Sequence, residues 1–133
     1  MKHLVFVYGT LKTGYGNNRL LHNSLKVADA TTVDPFWLVD CGFPYMLEKH
    51  NEGQPKPVMG ELWEVDDITL QNLDHLEGVD YNHYKRQKIQ TLVDGEGVVE
   101  ADCYFSCQEQ QGLPLCDVQN SSYVWGRNRI REV

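Results

Sequence analysis

Short apolar runs broken by Gly, Pro and Asp-Gly turns occupy most of this chain, and only two stretches carry the three-to-four-residue apolar spacing of a helix. Many short strands with few helices leave little choice of architecture. They predict an α+β domain built on a strongly curved or closed β-sheet. The length of 133 residues is that of one domain, expected to span 1–133, and is enough to bury a real core.

Leu4-Val5-Phe6-Val7-Tyr8 is a continuous apolar run, which suits a central strand covered on both faces. Gly9-Thr10-Leu11-Lys12-Thr13-Gly14-Tyr15-Gly16 then reads as a glycine-bearing loop, with Asn17 or Asn18 placed to cap a helix through Leu20, Leu21 and Leu25. Strand, loop and helix start make an anion-binding arrangement, in which Gly9 admits a ligand to the backbone N–H groups. The nucleotide P-loop is excluded, because Tyr15 and Gly16 stand where Lys and Ser or Thr are required. Residues 26–32 and 36–39 read as strands, 41–47 as an irregular corner, 48–57 as a surface loop and 58–65 as another strand. Residues 84–93 and 98–105 predict an antiparallel hairpin joined at Asp94-Gly95-Glu96-Gly97. Beyond it, 108–112 is polar and loops out, and Tyr123-Val124-Trp125 offers a last anchoring patch.

The second helix carries the candidate chemistry. Asp66 caps it, and Leu70, Leu73 and Leu76 mark its apolar stripe. At about 100° per residue, Glu77 falls between the directions of Leu70 and Leu73, and Gly78 closes the helix behind it. Burial and the negative helix end both push a carboxyl there upward. Such a group exchanges protons near neutral pH, as a general acid/base must. The structural alternative is a flexible helix-end glutamate reaching water.

A formal net charge of −7 with scattered Lys and Arg argues against a nucleic-acid partner. No apolar run reaches membrane-spanning length, and residues 4–7 are too short for a signal-peptide core, so a cytoplasmic protein is expected. The five His and four Cys show no metal-site spacing, and the cysteines read as reduced thiols. No metal or cofactor is expected.

Four segments taken together, Val7-Tyr8-Gly9-Thr10-Leu11-Lys12, Cys41-Gly42-Phe43-Pro44-Tyr45-Met46-Leu47, Val58-Met59-Gly60-Glu61-Leu62-Trp63 and Leu73-Asp74-His75-Leu76-Glu77-Gly78 with Tyr84 and Arg86, resemble the gamma-glutamylcyclotransferase-like family. The match runs from Met1 to about Phe105 and is most similar to the short gamma-glutamylamine cyclotransferase branch. The resemblance implies a small, mixed, barrel-like curved β-sheet with a few helices and a cavity, and one essential glutamate, by position Glu77. It also implies a ligand-holding loop at Tyr8, Gly9, Thr10 and Leu11, and a pocket tyrosine at Tyr84. The implied reaction is cofactor-independent. The α-amine of a small gamma-glutamyl substrate attacks its own side-chain amide and releases 5-oxoproline, a transferase or lyase type cyclisation. The leaving amine is expected to meet the loops 43–57 and 107–115. The alternative from the same fold is a non-catalytic binder of a small acidic ligand or a partner protein.

Overall fold

A computed structural model describes residues 2–94, 96–107 and 112–126. Five strands close a barrel in the order β1 (Lys2–Val7), β5 (Met59–Asp66), β2 (Leu25–Thr32), β6 (Tyr84–Val93) and β7 (Gly97–Ser106). β5 runs antiparallel to both β1 and β2, and β6 and β7 form a long antiparallel hairpin from Tyr84↔Ser106 to Val93↔Gly97. The barrel shuts where β7 meets β1 in parallel, through Val5↔Asp102. The closed sheet expected from the strand pattern, and the small, mixed, barrel-like form implied by the resemblance, are both observed. The predicted turn residue Gly95 lies outside the described residues, as do residues 108–111 of the predicted polar loop.

The uninterrupted apolar run of β1 has a direct cause. Phe6 points into the barrel with Leu62, Ile89, Cys103 and Phe105, while Val5 and Val7 face a second core with Trp63, Val65 and Tyr104. That second core is roofed by Leu70 and Leu73 of helix α1 (Asp67–Leu76) and by Leu11 and Leu21. Both faces of β1 are therefore buried, as a continuous rather than alternating run requires.

Two expectations fail locally. The helix predicted through Leu25 is only a six-residue 3-10 turn, Gly16–Leu21, and Leu25 opens β2 at 63% exposure. Asn17 and Asn18 do not cap it. Their side-chain amides donate to Thr10 Oγ1 and to the Leu11 carbonyl, each at 2.8 Å, and so brace the preceding loop. The corner predicted at 41–47 contains β4 (Pro44–Leu47), paired antiparallel to β3 (Trp37–Asp40) from Trp37↔Leu47 to Asp40↔Pro44. This hairpin is a sheet of its own, and Leu38 and Met46 bury fully in the barrel core. A third small sheet, β8 (Asp117–Gln119) with β9 (Ser122–Val124), carries Tyr123 and, just beyond, Trp125 into the same core. Among the described residues, no helix is long and apolar enough to cross a membrane.

Candidate active site

α1 begins as its sequence requires, with the Asp66 carboxylate accepting the Thr69 N–H at 2.8 Å. It ends at Glu77, whose N–H still donates to the Leu73 carbonyl at 2.9 Å, and the next residue, Gly78, turns left-handed at φ 65°. Glycine is needed there twice over. A Cβ would be strained at that φ and would lie 2.8 Å from His83 Nδ1. Leu70 and Leu73 are buried, but Leu76, expected on the same stripe, is 41% exposed. A third leucine three residues on has rotated a further 60° from the roof's midline, whereas Glu77 returns to it. The carboxyl is thus carried inward by its helical phase and halted by Gly78.

Glu77 lines a cavity of about 530 Å³. The same cavity is lined by Tyr8, Gly9, Thr10, Leu11 and Tyr84, so all six residues singled out from the sequence converge on one space. Their contributions differ. Leu11 is 5% exposed and packs in the outer core, so only its backbone is available. Tyr8 is buried, and its hydroxyl donates to the Tyr104 carbonyl at 2.6 Å, which makes it a wall. Tyr84 donates to the Pro44 carbonyl at 3.3 Å and stacks on Tyr45 with ring centroids 5.7 Å apart. The N–H groups of Gly9, Thr10 and Leu11 make no hydrogen bond to another described residue, while the Gly9 and Thr10 carbonyls accept from Lys12 and Asn17 and hold the loop in place. Because the predicted helix is only a short 3-10 turn, the backbone donors at this position are those of the loop and not of a helix end. The need for glycine at position 9 also has another origin: a Cβ there would lie 2.7 Å from the Pro44 ring of β4.

Burial alone pushes the Glu77 carboxyl up to about 7. Among the described lining residues there is no Lys or Arg to offset it. Burial likewise raises the hydroxyls of Tyr8, Tyr84 and Tyr104, with the Glu77 charge a further cause in each.

Two residues of the sequence motif, not assigned a role from the sequence, hold the site from behind. Asp74 sits one turn before Glu77 and takes Arg86 of β6 in a two-pronged pair, Nε to Oδ1 at 2.8 Å and Nη2 to Oδ2 at 3.1 Å. Asp74 Oδ1 also accepts the Tyr104 hydroxyl at 2.6 Å, and Arg86 reaches the buried Asp102 at 3.6 Å. This network ties the end of α1 to β6 and β7, with Arg suited by its planar fork. The shared spacing of Asp74, Glu77 and Arg86 in the motif was the available signal. Lys12 acts similarly on the loop: its buried ammonium donates to the Trp125 carbonyl at 2.7 Å. The four cysteines are free thiols, and no group of three or more His, Cys, Asp or Glu among the described residues is placed to hold a metal ion.

Comparison with known proteins follows the same outline. Residues 5–125 match the family model described as gamma-glutamyl cyclotransferase, AIG2-like, and so extend the likeness beyond Phe105. Gamma-glutamylaminecyclotransferase of Bos taurus is 36% identical over 96% of this chain and 79% of its own length. Gamma-glutamylaminecyclotransferase B of Danio rerio is 39% identical over 74% of this chain and 55% of its own. Among solved structures, an AIG2-like protein of Mus musculus superposes with a TM-score of 0.76 at 28% identity, covering 96% of this chain and 92% of the mouse one.

Proposed function

The chain belongs to the gamma-glutamyl cyclotransferase, AIG2-like family and is an enzyme of the cyclotransferase type, and from that premise we propose that it cyclises small gamma-glutamyl amides to 5-oxoproline with Glu77 as the proton carrier. The observation that supports this reading is one cavity lined both by a carboxyl of pKa about 7 and by the 9–11 loop, whose N–H groups make no hydrogen bond to another described residue.

The substrate supplies its own nucleophile, so the protein need only fold it and move protons. The α-carboxylate binds the N–H groups of Gly9, Thr10 and Leu11. Ionised Glu77 takes a proton from the α-ammonium, and the freed amine attacks the γ-carbonyl carbon, forming the ring C–N bond. Glu77 returns that proton to the leaving nitrogen as the amide C–N bond breaks. A second proton passes from ring nitrogen to leaving amine by the same carboxyl, which leaves a neutral lactam and an ammonium product. A carboxyl with pKa about 7 divides its time between both forms at neutral pH, which suits one group to both steps.

The test is direct. With gamma-glutamyl-ε-lysine, gamma-glutamyl dipeptides and glutathione as substrates, 5-oxoproline release followed by NMR should fall by about 10² to 10⁴ in Glu77→Gln. In the unaltered protein kcat/KM should rise through about pH 7 as Glu77 ionises. No release from any gamma-glutamyl amide at high protein concentration would favour a binding role, and full activity in Glu77→Gln would remove the carboxyl from the mechanism.

A further inference from the structure

On the cyclotransferase reading, the leaving nitrogen must come within hydrogen-bond reach of the Glu77 carboxyl. That requirement restricts what else the leaving group carries. In an α-amino acid leaving group a carboxylate carbon sits about 2.5 Å from that nitrogen, which brings a second anion beside Glu77. The described lining of the cavity has no Lys or Arg to compensate, His83 being its one side chain of basic type, and the whole chain carries a net charge of −7. Like charges set together in a partly dry site are strongly disfavoured.

The mouth of the cavity offers something else. Phe43 is 46% exposed and lies edge-on to Tyr45, with centroids 5.4 Å apart at 63°. Tyr45 in turn stacks on Tyr84. Leu76, also at the mouth, is 41% exposed. The backbone that bears these rings is held. The Gly42 N–H donates to Asp40 Oδ1 at 2.8 Å and the Cys41 N–H to the Phe43 carbonyl at 3.1 Å, which shapes the turn bearing Phe43. Pro44 is wedged against Gly9, and its carbonyl accepts from Tyr84. A run of three contacting rings, exposed at the Phe43 end, suits a fourth ring, which can stack or sit edge-on.

We propose that this mouth is a subsite for an aromatic leaving amine, so that the preferred substrates are gamma-glutamyl amides of arylalkylamines with no carboxylate next to the reacting nitrogen. Phe43 and Tyr45 set that preference.

Three probes test it on the purified chain: gamma-glutamyl benzylamide, gamma-glutamyl ethylamide and gamma-glutamyl-phenylalanine, with kcat/KM read from 5-oxoproline release. Benzylamide should exceed ethylamide by about two- to tenfold, and should exceed gamma-glutamyl-phenylalanine by at least about tenfold. Phe43→Leu and Tyr45→Leu should each bring the benzylamide to ethylamide ratio down toward about one. Comparable turnover of all three probes, or a ratio unmoved in both leucine variants, overturns the subsite and leaves the cyclotransferase standing. Release from none of them overturns the subsite, and the cyclotransferase falls with it only if gamma-glutamyl-ε-lysine is also left intact.

Discussion

On the proposed mechanism, Glu77 links activity to stability through one proton. Its pKa rises from 4.5 to about 7 because folding takes the carboxyl out of water. The folded state therefore holds a proton that the unfolded chain gives up between those values, and stability falls as pH rises through that window. The cost approaches about 3 kcal/mol at neutral pH. Asp66 and Asp67 work in the other direction. Their pKa values are lowered, chiefly by the Thr69 N–H and by His3 respectively, so the stability they contribute is lost as pH falls. The measurement is thus a difference: urea unfolding at pH 4.5 and pH 8 for the unaltered protein and Glu77→Gln. The Gln variant should gain on the unaltered chain as pH rises, and a flat difference would contradict the burial argument. If the proposed mechanism holds, the deprotonation that arms the carboxyl also weakens the fold that holds it.

At the level of elements, α1 was legible because every signal it needs is local: the Asp66 cap, the Leu70 and Leu73 stripe, and the Gly78 stop. Gly78→Ala should cost about 1–3 kcal/mol by denaturant unfolding, since alanine is strained at φ 65° and meets the His83 ring. It should also displace Glu77, and so lower 5-oxoproline release along with stability. The segment after the 9–11 loop was not legible, because Leu20, Leu21 and Leu25 mimic a helical spacing that the chain does not use. The two asparagines that look like caps are engaged by Thr10 and Leu11, and Leu25 is claimed by its pairing with Glu64 of β5. Gly42 and Pro44 hid β4 for a related reason: the register that makes it a strand comes from β3, and neither glycine nor proline advertises it. The Asp74 and Arg86 pair joins residues twelve apart across two elements, a geometry that only the closed barrel brings about.

Across the whole molecule, the strand count and the apolar run of β1 were enough to anticipate a closed sheet, but not the parallel seam at Val5 and Asp102. That seam joins an early strand to a late one, and the two cores share β1, β5 and β7 as a common wall. We therefore expect one cooperative unit: far-ultraviolet circular dichroism and the fluorescence of the buried Trp63 and Trp125 should report the same urea midpoint. Two separated midpoints would divide the chain. The β3–β4 hairpin has a further consequence, for descent rather than for folding. Its plug residues, Leu38 and Met46, face the barrel, while Phe43 and Tyr45 occupy the mouth and β3 and β4 pair with no barrel strand. Lineages can thus exchange the residues at positions 43 and 45 at little cost to the fold and without touching Glu77, so substrate choice can drift while the reaction is inherited intact.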